Sequence, residues 1–304
     1  MKKILLFLFV MLPLVAFELP FCDNNAADAS KAKINVDNIK SDKSKKSMEK
    51  WLDGIFGLQP YHENYILPFG YASKKYKSHV PGINYDNTEA EIKVSLKLKV
   101  GKNLLGLHEL YYLSYTQQAF WQLYINSSPF RESLYNPEAF VVFPISDTKS
   151  FLQMRSFKFS LAHKSNGQPD TSEVIFSNGQ PLGNRSKSIN YFYGMLRLQH
   201  DTLLTDITLL APFPGKDNLS DNPDLMDYLG YTQIKFSYFY NEHMFTLMGR
   251  GNLRKGKGAM EATYSYPLTS DSYFFLKVFS GYVESLIDYK ENISKVSVGF
   301  SFSR

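Results

Sequence analysis

His163 and Ser165 have the types and the spacing of a catalytic pair. In an extended strand, side chains two residues apart point to the same side, with α-carbons roughly 7 Å apart, so the imidazole and the hydroxyl can form a hydrogen bond. A histidine that takes the serine proton creates an oxygen nucleophile for acyl transfer. Spacing alone favours a simpler interpretation, in which two polar residues end a strand and the common turn sequence Asn166-Gly167 follows.

Asn190 is the third candidate residue. It shares the parity of Phe192 and Leu196, so it lies on the apolar face of its own segment. Consecutive strands pair antiparallel here, and the start of this segment therefore neighbours the end of the segment that carries His163. We expect Asn190 to accept a hydrogen bond from the far ring nitrogen of His163 and to fix the tautomer, although a neutral amide stabilises an imidazolium less than a carboxylate does.

Strands must position these residues, because apolar and polar residues alternate with period two from Trp51 onwards. In the clearest segment, apolar residues at every second position from Ile92 to Val100 interleave with glutamate, serine and lysine. Gly, Asn, Asp and Pro separate the segments, as expected for turns. We predict twelve strands, near residues 63–72, 91–100, 108–124, 137–146, 151–165, 188–199, 202–212, 228–241, 243–250, 258–267, 271–282 and 295–303.

Composition and strand length favour a membrane barrel over a water-soluble sandwich, which would also alternate. The 304 residues are 44% hydrophobic and 15% aromatic, yet the mean hydropathy is -0.27, because one face of each strand is apolar and the other is charged. After the signal-like start, no apolar run approaches the roughly 20 residues of a membrane-spanning helix. A closed barrel with lipid outside satisfies every backbone hydrogen bond. We therefore predict an all-β fold, a twelve-stranded antiparallel transmembrane β-barrel.

The N-terminus indicates export. A basic start precedes an apolar stretch at residues 4–17, the pattern of a secretory signal peptide. We predict a signal peptide over residues 1–22, a Lys-rich flexible periplasmic segment over 23–52 and the barrel over 53–304. Cys22 follows the bulky Phe21, which disfavours lipidation, and as the single cysteine it cannot form an internal disulfide. The net charge of +5 is too small to indicate nucleic acid binding.

Gln117 interrupts an otherwise apolar face. It shares the parity of Leu113, Tyr115 and Trp121, so its amide faces lipid, where a polar group is costly unless it finds a partner. Association of two barrels through this face would supply that partner. A position near the membrane interface, solvated by headgroups, would explain the residue equally simply.

Several longer sequence strings are specific enough to compare with known families. They are Tyr115-Thr116-Gln117, Trp121-Gln122-Leu123, Ser127-Ser128-Pro129-Phe130-Arg131-Glu132 with Tyr135 and Pro137, His163-x-Ser165-Asn166-Gly167, Asp221-Asn222-Pro223-Asp224, Ser280-Gly281-Tyr282 and Glu284-Ser285-Leu286-Ile287-Asp288-Tyr289. Together they resemble bacterial outer membrane phospholipase A, and the match extends from about Phe56 to Phe302. The resemblance implies a twelve-stranded barrel in the bacterial outer membrane. It also implies a calcium-dependent serine hydrolase that cleaves acyl esters of phospholipids and lysophospholipids and is activated by homodimerisation.

The resemblance also implies site residues. It makes Ser165 the nucleophile, His163 the base and Asn190 the orienting residue, with Asn178 and Asn184 as alternative alignments for the asparagine. It implies calcium ligands from two subunits, Ser127 of one and Ser186 with the Gln168 carbonyl of the other; Gln168 stands where the family commonly has arginine. Gln117 and Trp121 fall at the implied dimer interface. A porin or adhesin barrel without catalysis is the alternative, and the two-faced strands disfavour a soluble secreted esterase.

Overall fold

The computed structural model describes residues 41–44, 57–80, 82–145, 151–169, 185–215 and 217–304. By its contacts the chain divides into one unit that ends at Phe56 and a second unit, Gly57–Arg304. The predicted signal peptide, 1–22, lies outside the described residues, as does nearly all of the predicted segment 23–52. Those two assignments and the barrel boundary at residue 53 therefore stay predictions.

The second unit is an antiparallel barrel that closes on itself through the β13–β2 and β3–β4 pairs. Twelve strands, β2 to β13, form the wall among the described residues, which confirms the predicted fold. The short β1 pairs with β3 beyond the end of β2 and so continues the row of β2. The strands are β1 Leu58–Pro60, β2 Tyr65–Ala72, β3 Thr88–Lys102, β4 Leu110–Trp121, β5 Phe130–Pro144, β6 Met154–Ser165, β7 Ser188–His200, β8 Leu203–Pro212, β9 Thr232–Tyr240, β10 His243–Asn252, β11 Lys257–Pro267, β12 Tyr273–Gly281 and β13 Ile293–Ser301.

Two predicted strand boundaries were wrong. β5 begins at Phe130 rather than near residue 137, because Arg131 and Glu132 point into the barrel, where both are buried. The strand predicted to start near residue 228 begins at Thr232, since the preceding residues form a short helix, α1, at Leu225–Leu229. No helix among the described residues is long and apolar enough to cross a membrane.

The wall has an apolar outside and a charged inside, as the alternation predicted. In β13 the outward residues Val296 and Phe300 are exposed, while the inward Lys295 is buried. Many of the inward charges are paired: Arg131 donates to both carboxylate oxygens of Glu89 at 2.9 and 3.0 Å, and Lys295 reaches Glu89 at 3.1 Å. Pairing or hydrogen bonding of this kind is what makes a buried charge tolerable.

The two ends of the barrel differ. At one end, called here the long-loop end, the strands are joined by residues 73–87, 122–129, 166–187, 213–231, 253–256 and 282–292. At the other, the short-turn end, they are joined by residues 103–109, 145–153, 201–202, 241–242 and 268–272. Loops at the long-loop end fold over the lumen and pack an apolar cluster against the wall. The cluster comprises Phe120, Leu134, Ala162, Ile189, Tyr191, Leu225, Met226, Val283, Leu286 and Tyr289.

Candidate active site

The strand register places the three candidate residues side by side on the outer wall, near the long-loop end. His163 of β6 lies directly opposite Asn190 of β7, and Ser165 lies opposite Ser188. On the other side of β6, Ser165 lies opposite Tyr135 of β5. All of these residues have the parity of the exposed Phe159, so they face outwards.

His163 and Asn190 form a hydrogen bond across the two strands. His163 Nδ1 lies 2.8 Å from Asn190 Oδ1. An amide oxygen only accepts, so Nδ1 carries the proton and Nε2 is left as the acceptor that a general base needs. In the described part of the chain the Ser165 hydroxyl makes no hydrogen bond to His163; such bonds often tighten only when substrate is bound.

Side chains from the 213–231 loop complete the edge of β7 beside Asn190. β8 pairs with β7 only as far as the Tyr191–Pro212 pair. Beyond it, Asn218 accepts the Asn190 N–H at 2.7 Å and donates to the Asn190 carbonyl at 2.8 Å. Asn222 likewise accepts the Ser188 N–H and donates to the Ser188 carbonyl, both at 3.0 Å. Two side-chain amides thus replace the missing strand and hold the residues at the start of β7.

Asn166 joins the end of β6 to the start of β7 at the candidate site. It is buried, and its Nδ2 donates at 2.9 Å to Glu132 and to the Arg185 carbonyl. Its Oδ1 accepts the N–H groups of Lys187 at 3.0 Å and of Gln168 at 3.3 Å. The residue after the candidate nucleophile therefore fixes the chain on both sides of the β6–β7 connection.

Gly167 occupies a position that another residue would fill badly. Its φ is +61°, in the left-handed region, and a β-carbon there would lie 2.9 Å from Tyr135 Cε2. The Tyr135 ring therefore covers the turn that follows Ser165, and only glycine allows this close approach.

The predicted calcium ligands lie in two places. Gln168 and Ser186 come together because Asn166 binds Gln168 and Lys187, the residue after Ser186. Ser127 belongs to the separate β4–β5 turn, with a left-handed φ of 65°, and makes no hydrogen bond to either of the others within the described residues.

The donor set around Ser186 fits calcium. The Ser186 hydroxyl donates to Asp221 Oδ2 at 2.7 Å, which adds a carboxylate to the neutral oxygens that the sequence predicted. Such hard oxygen donors suit Ca²⁺. No cluster of three or more His, Cys, Asp and Glu side chains that could hold a metal occurs among the described residues, so a cation here would depend on hydroxyl and carbonyl oxygens as well.

The two predicted dimer residues lie on the outward face of β4. Gln117 lies opposite Tyr135, so Gln117, Tyr135 and Ser165 form one row across three strands. The Trp121 ring stacks on Phe130, and its indole N–H donates to the Ser128 carbonyl at 2.7 Å. The polar edge of Trp121 is thus already used to hold the turn that carries Ser127.

A barrel with a lipid-facing wall, on which a histidine held by an asparagine stands beside a serine, defines a class of membrane-embedded hydrolase. The sequence matches the phospholipase A1 family model over residues 42–302. The chain belongs to this family, and it is a phospholipase of the outer membrane.

Relatives and solved structures agree with this assignment. Phospholipase A1 of Proteus vulgaris is 33% identical over 253 residues, 81% of this chain and 82% of the relative, and phospholipase A1 of Escherichia coli K12 is 31% identical with the same coverage. The calcium-bound dimer of the Salmonella typhi outer membrane phospholipase superposes with a TM-score of 0.71 at 31% identity, covering 81% of this chain and 92% of that one. Outer membrane phospholipase A from Escherichia coli also gives 0.71, at 30% identity and with 82% and 99% covered.

The predicted family, fold, enzyme class and membrane location are confirmed, and the alternative of a barrel without catalysis is set aside. The roles of individual residues stay predictions. Sequence reasoning assigned no role to Asn166, Asn218, Asn222 or Glu132, all of which hold the site. Asn166, Asn222 and Glu132 lie within the strings that carry the resemblance, which is a usable signal; Asn218 lies in none of them.

Proposed function

We propose that this phospholipase is a calcium-dependent serine hydrolase in which Ser165 is the nucleophile, His163 the general base and Asn190 the residue that orients His163. It acts on acyl esters of phospholipids and lysophospholipids. The observation that supports the proposal most directly is the 2.8 Å contact between His163 Nδ1 and Asn190 Oδ1. That contact leaves the basic ring nitrogen available to the serine on the same strand face.

The reaction divides into two acyl transfers. Ser165 Oγ attacks the ester carbonyl while His163 Nε2 takes its proton. The imidazolium then protonates the leaving glycerol oxygen, and the lysophospholipid departs. A water molecule, deprotonated by the same imidazole, attacks the acyl-serine ester; the imidazolium then returns the proton to Ser165 Oγ as the acyl–oxygen bond breaks and the fatty acid leaves. Asn190 keeps the imidazole in one tautomer and orientation throughout.

The position of the site suits a substrate that stays in the membrane. Phe157, Phe159 and Leu161 precede His163 on the same outward face of β6, and all three are exposed. An acyl chain can therefore lie against this face while its ester, at the headgroup boundary, meets the serine. Long loops of such barrels are extracellular, which puts the site in the outer leaflet.

Calcium would be held by the Gln168 carbonyl and the Ser186 hydroxyl, with Asp221 beside them. When bound, it would supply positive charge next to the oxygen on which negative charge develops. One chain offers few ligands, and Ser127 lies in a different turn. We infer that Ser127 of a second copy completes the site and that the row through Gln117 contacts this copy, so that activity requires a homodimer.

The test is calcium-dependent release of fatty acid from mixed micelles by the purified protein. Ser165→Ala and His163→Ala should each abolish release while the barrel keeps its heat-modifiable migration in detergent. Ser188→Ala is the matched control, because Ser188 lies opposite Ser165 on the same outer face. Full activity of either site variant would disprove the assignment.

A further inference from the structure

The turn between β3 and β4, residues 103–109, displays three leucines and is called here the leucine turn. The exposed fractions are 73% for Leu104, 66% for Leu105 and 59% for Leu107. Two other turns at the short-turn end, Asp201-Thr202 and Asn241-Glu242, are polar, and the connections 145–153 and 268–272 also expose large apolar side chains, such as Phe151 and Leu268. An exposed group of apolar side chains on one rigid turn indicates a surface that contacts something other than water.

The exposure of these leucines is enforced by hydrogen bonds. The buried carboxylate of Glu109 accepts the N–H groups of Leu105 at 2.6 Å and of Leu107 at 3.0 Å. Asn103 accepts the His108 N–H at 2.9 Å, and both of these residues have a left-handed φ. The polar groups of the turn are therefore satisfied within it, which leaves the leucine side chains outside.

The leucine turn continues the lipid-facing side of the wall. A β-carbon on Gly101 would lie 3.4 Å from Tyr111 Cδ2 and 3.7 Å from Leu104 Cδ1, so Leu104 packs along this side of β3 and β4. Next to it stand Val100 and Leu113, both outward and exposed. The apolar surface is thus unbroken from the barrel wall to the turn.

Lys102 and His108 flank the leucines in the sequence, and both are exposed. A lysine next to exposed leucines is typical of segments that lie at the boundary between acyl chains and anionic headgroups, where the lysine amine extends to the headgroups. Because short turns of such barrels face the periplasm, the membrane surface in reach is that of the inner leaflet.

We propose that the leucine turn inserts into the inner-leaflet interface of the outer membrane and binds lipid there through Leu104, Leu105 and Leu107. We assign lipid, and not a protein, as the binding partner because the apolar surface of the turn is continuous with the lipid-facing surface of β3 and β4. Insertion would fix the depth of the β3–β4 end of the wall in the membrane.

The experiment places an environment-sensitive fluorophore on Leu105→Cys, with Cys22 replaced by serine, in the full chain reconstituted into phospholipid vesicles. Leu253→Cys is the matched control, since Leu253 is a fully exposed leucine (100%) in the turn at the opposite end. We expect blue-shifted emission at Leu105 and loss of that emission when lipids carry a quencher near their ester groups. The control should show neither effect.

Varying the ratio of protein to lipid separates the possible occupants. Shielding of the Leu105 probe that persists when the protein is diluted in lipid supports insertion. Shielding that disappears on dilution would show a contact with a second copy and overturn the proposal, as would emission equal to that of the Leu253 probe. Heat-modifiable migration of each labelled variant verifies that the barrel has folded.

Discussion

Asn218 binds both main-chain polar groups of Asn190: its side-chain amide accepts the Asn190 N–H at 2.7 Å and donates to the Asn190 carbonyl at 2.8 Å. The same Nδ2 also donates to the Phe213 carbonyl at 2.9 Å. The residue that orients His163 in our proposal is therefore fixed through its main chain by a loop side chain. This contact links the 213–231 loop to the candidate catalytic residues on the outer wall.

We expect Asn218→Ala to lower fatty acid release without unfolding the barrel. The substitution leaves both polar groups of the Asn190 peptide without this partner, at a cost of about 2 kcal/mol. If the whole cost falls on the reactive geometry, the rate drops roughly 30-fold. Initial rates in mixed micelles measure the effect. Ser220→Ala is the control, because that hydroxyl bonds only within the same loop, to the Asp217 carbonyl, and should leave the rate unchanged.

Removal of Arg131 should destabilise the barrel far more than removal of an exposed arginine. Arg131 and Glu89 are fully buried, and Arg131→Met leaves a carboxylate inside the lumen without its main partner. We expect a loss of about 3–5 kcal/mol in the free energy of unfolding, measured with denaturant in detergent.

A matched comparison isolates the effect of burial. Arg197→Met breaks the Arg197–Asp206 pair, in which the arginine side chain is 41% exposed, and should cost no more than about 1 kcal/mol. The double variant Arg131→Met with Glu89→Gln should recover part of the loss, because the fully buried side chain that loses its guanidinium partner is then uncharged. Equal effects of the two arginine substitutions would contradict this explanation.

Asp221→Asn should weaken calcium binding while leaving the loop intact. The amide keeps an acceptor for the Ser186 hydroxyl, 2.7 Å away in the native chain, but removes the negative charge beside the proposed ligands. Changes of this kind around a metal site typically lower affinity on the order of 10–100-fold. Calcium titrations of crosslinked dimer and of activity should shift together. Asp217→Asn, an exposed residue of the same loop, should shift neither curve.

The leucine turn should loosen in acid. Burial acts to raise the pKa of Glu109, but the N–H groups of Leu105 and Leu107 outweigh it and hold the pKa below the ordinary value of 4.5. A carboxyl whose pKa is depressed by folding contributes stability above its unfolded pKa, and this contribution is lost as the pH falls through the folded value. Hydrogen-exchange protection of the Leu105 and Leu107 amides should therefore fall below pH 4.5. Glu109→Gln should remove the pH dependence; if it persists, another group controls the turn.

The sequence predicted the wall well because each strand has a lipid-facing and a lumen-facing side, and this difference appears directly as alternation. The start of β5 is the exception, because Arg131 and Glu132 are adjacent charged residues that do not fit the alternation. Their partners are remote in the sequence: Glu89 lies on β3, two strands earlier, and the backbone amides of Leu286 and Ile287 that bind Glu132 come from the 282–292 loop. Alternation cannot show that a charge inside the barrel will be neutralised.

The placement of His163, Ser165 and Asn190 was predictable for the same reason, since parity and antiparallel pairing bring His163 and Asn190 together once their strands are recognised. The residues that support these three were not predictable. Asn218 acts through a side chain in an irregular loop, where no periodicity marks its direction, and its partner is the main chain, which every residue has. Asn166 looks like part of a common Asn-Gly turn and of a family string, and neither pattern shows which groups its side chain binds.

The cross-strand placement of His163 opposite Asn190 has a consequence for control of the enzyme. The main chains of both residues, and of Ser165 with them, belong to the ladder of a closed wall. Moving one of these residues by a shift of the backbone would therefore break hydrogen bonds of the wall. Under our proposal, activity is therefore controlled by what binds to the wall: the lipid substrate, the calcium ion, and a second copy of the chain that contributes the Ser127 oxygen.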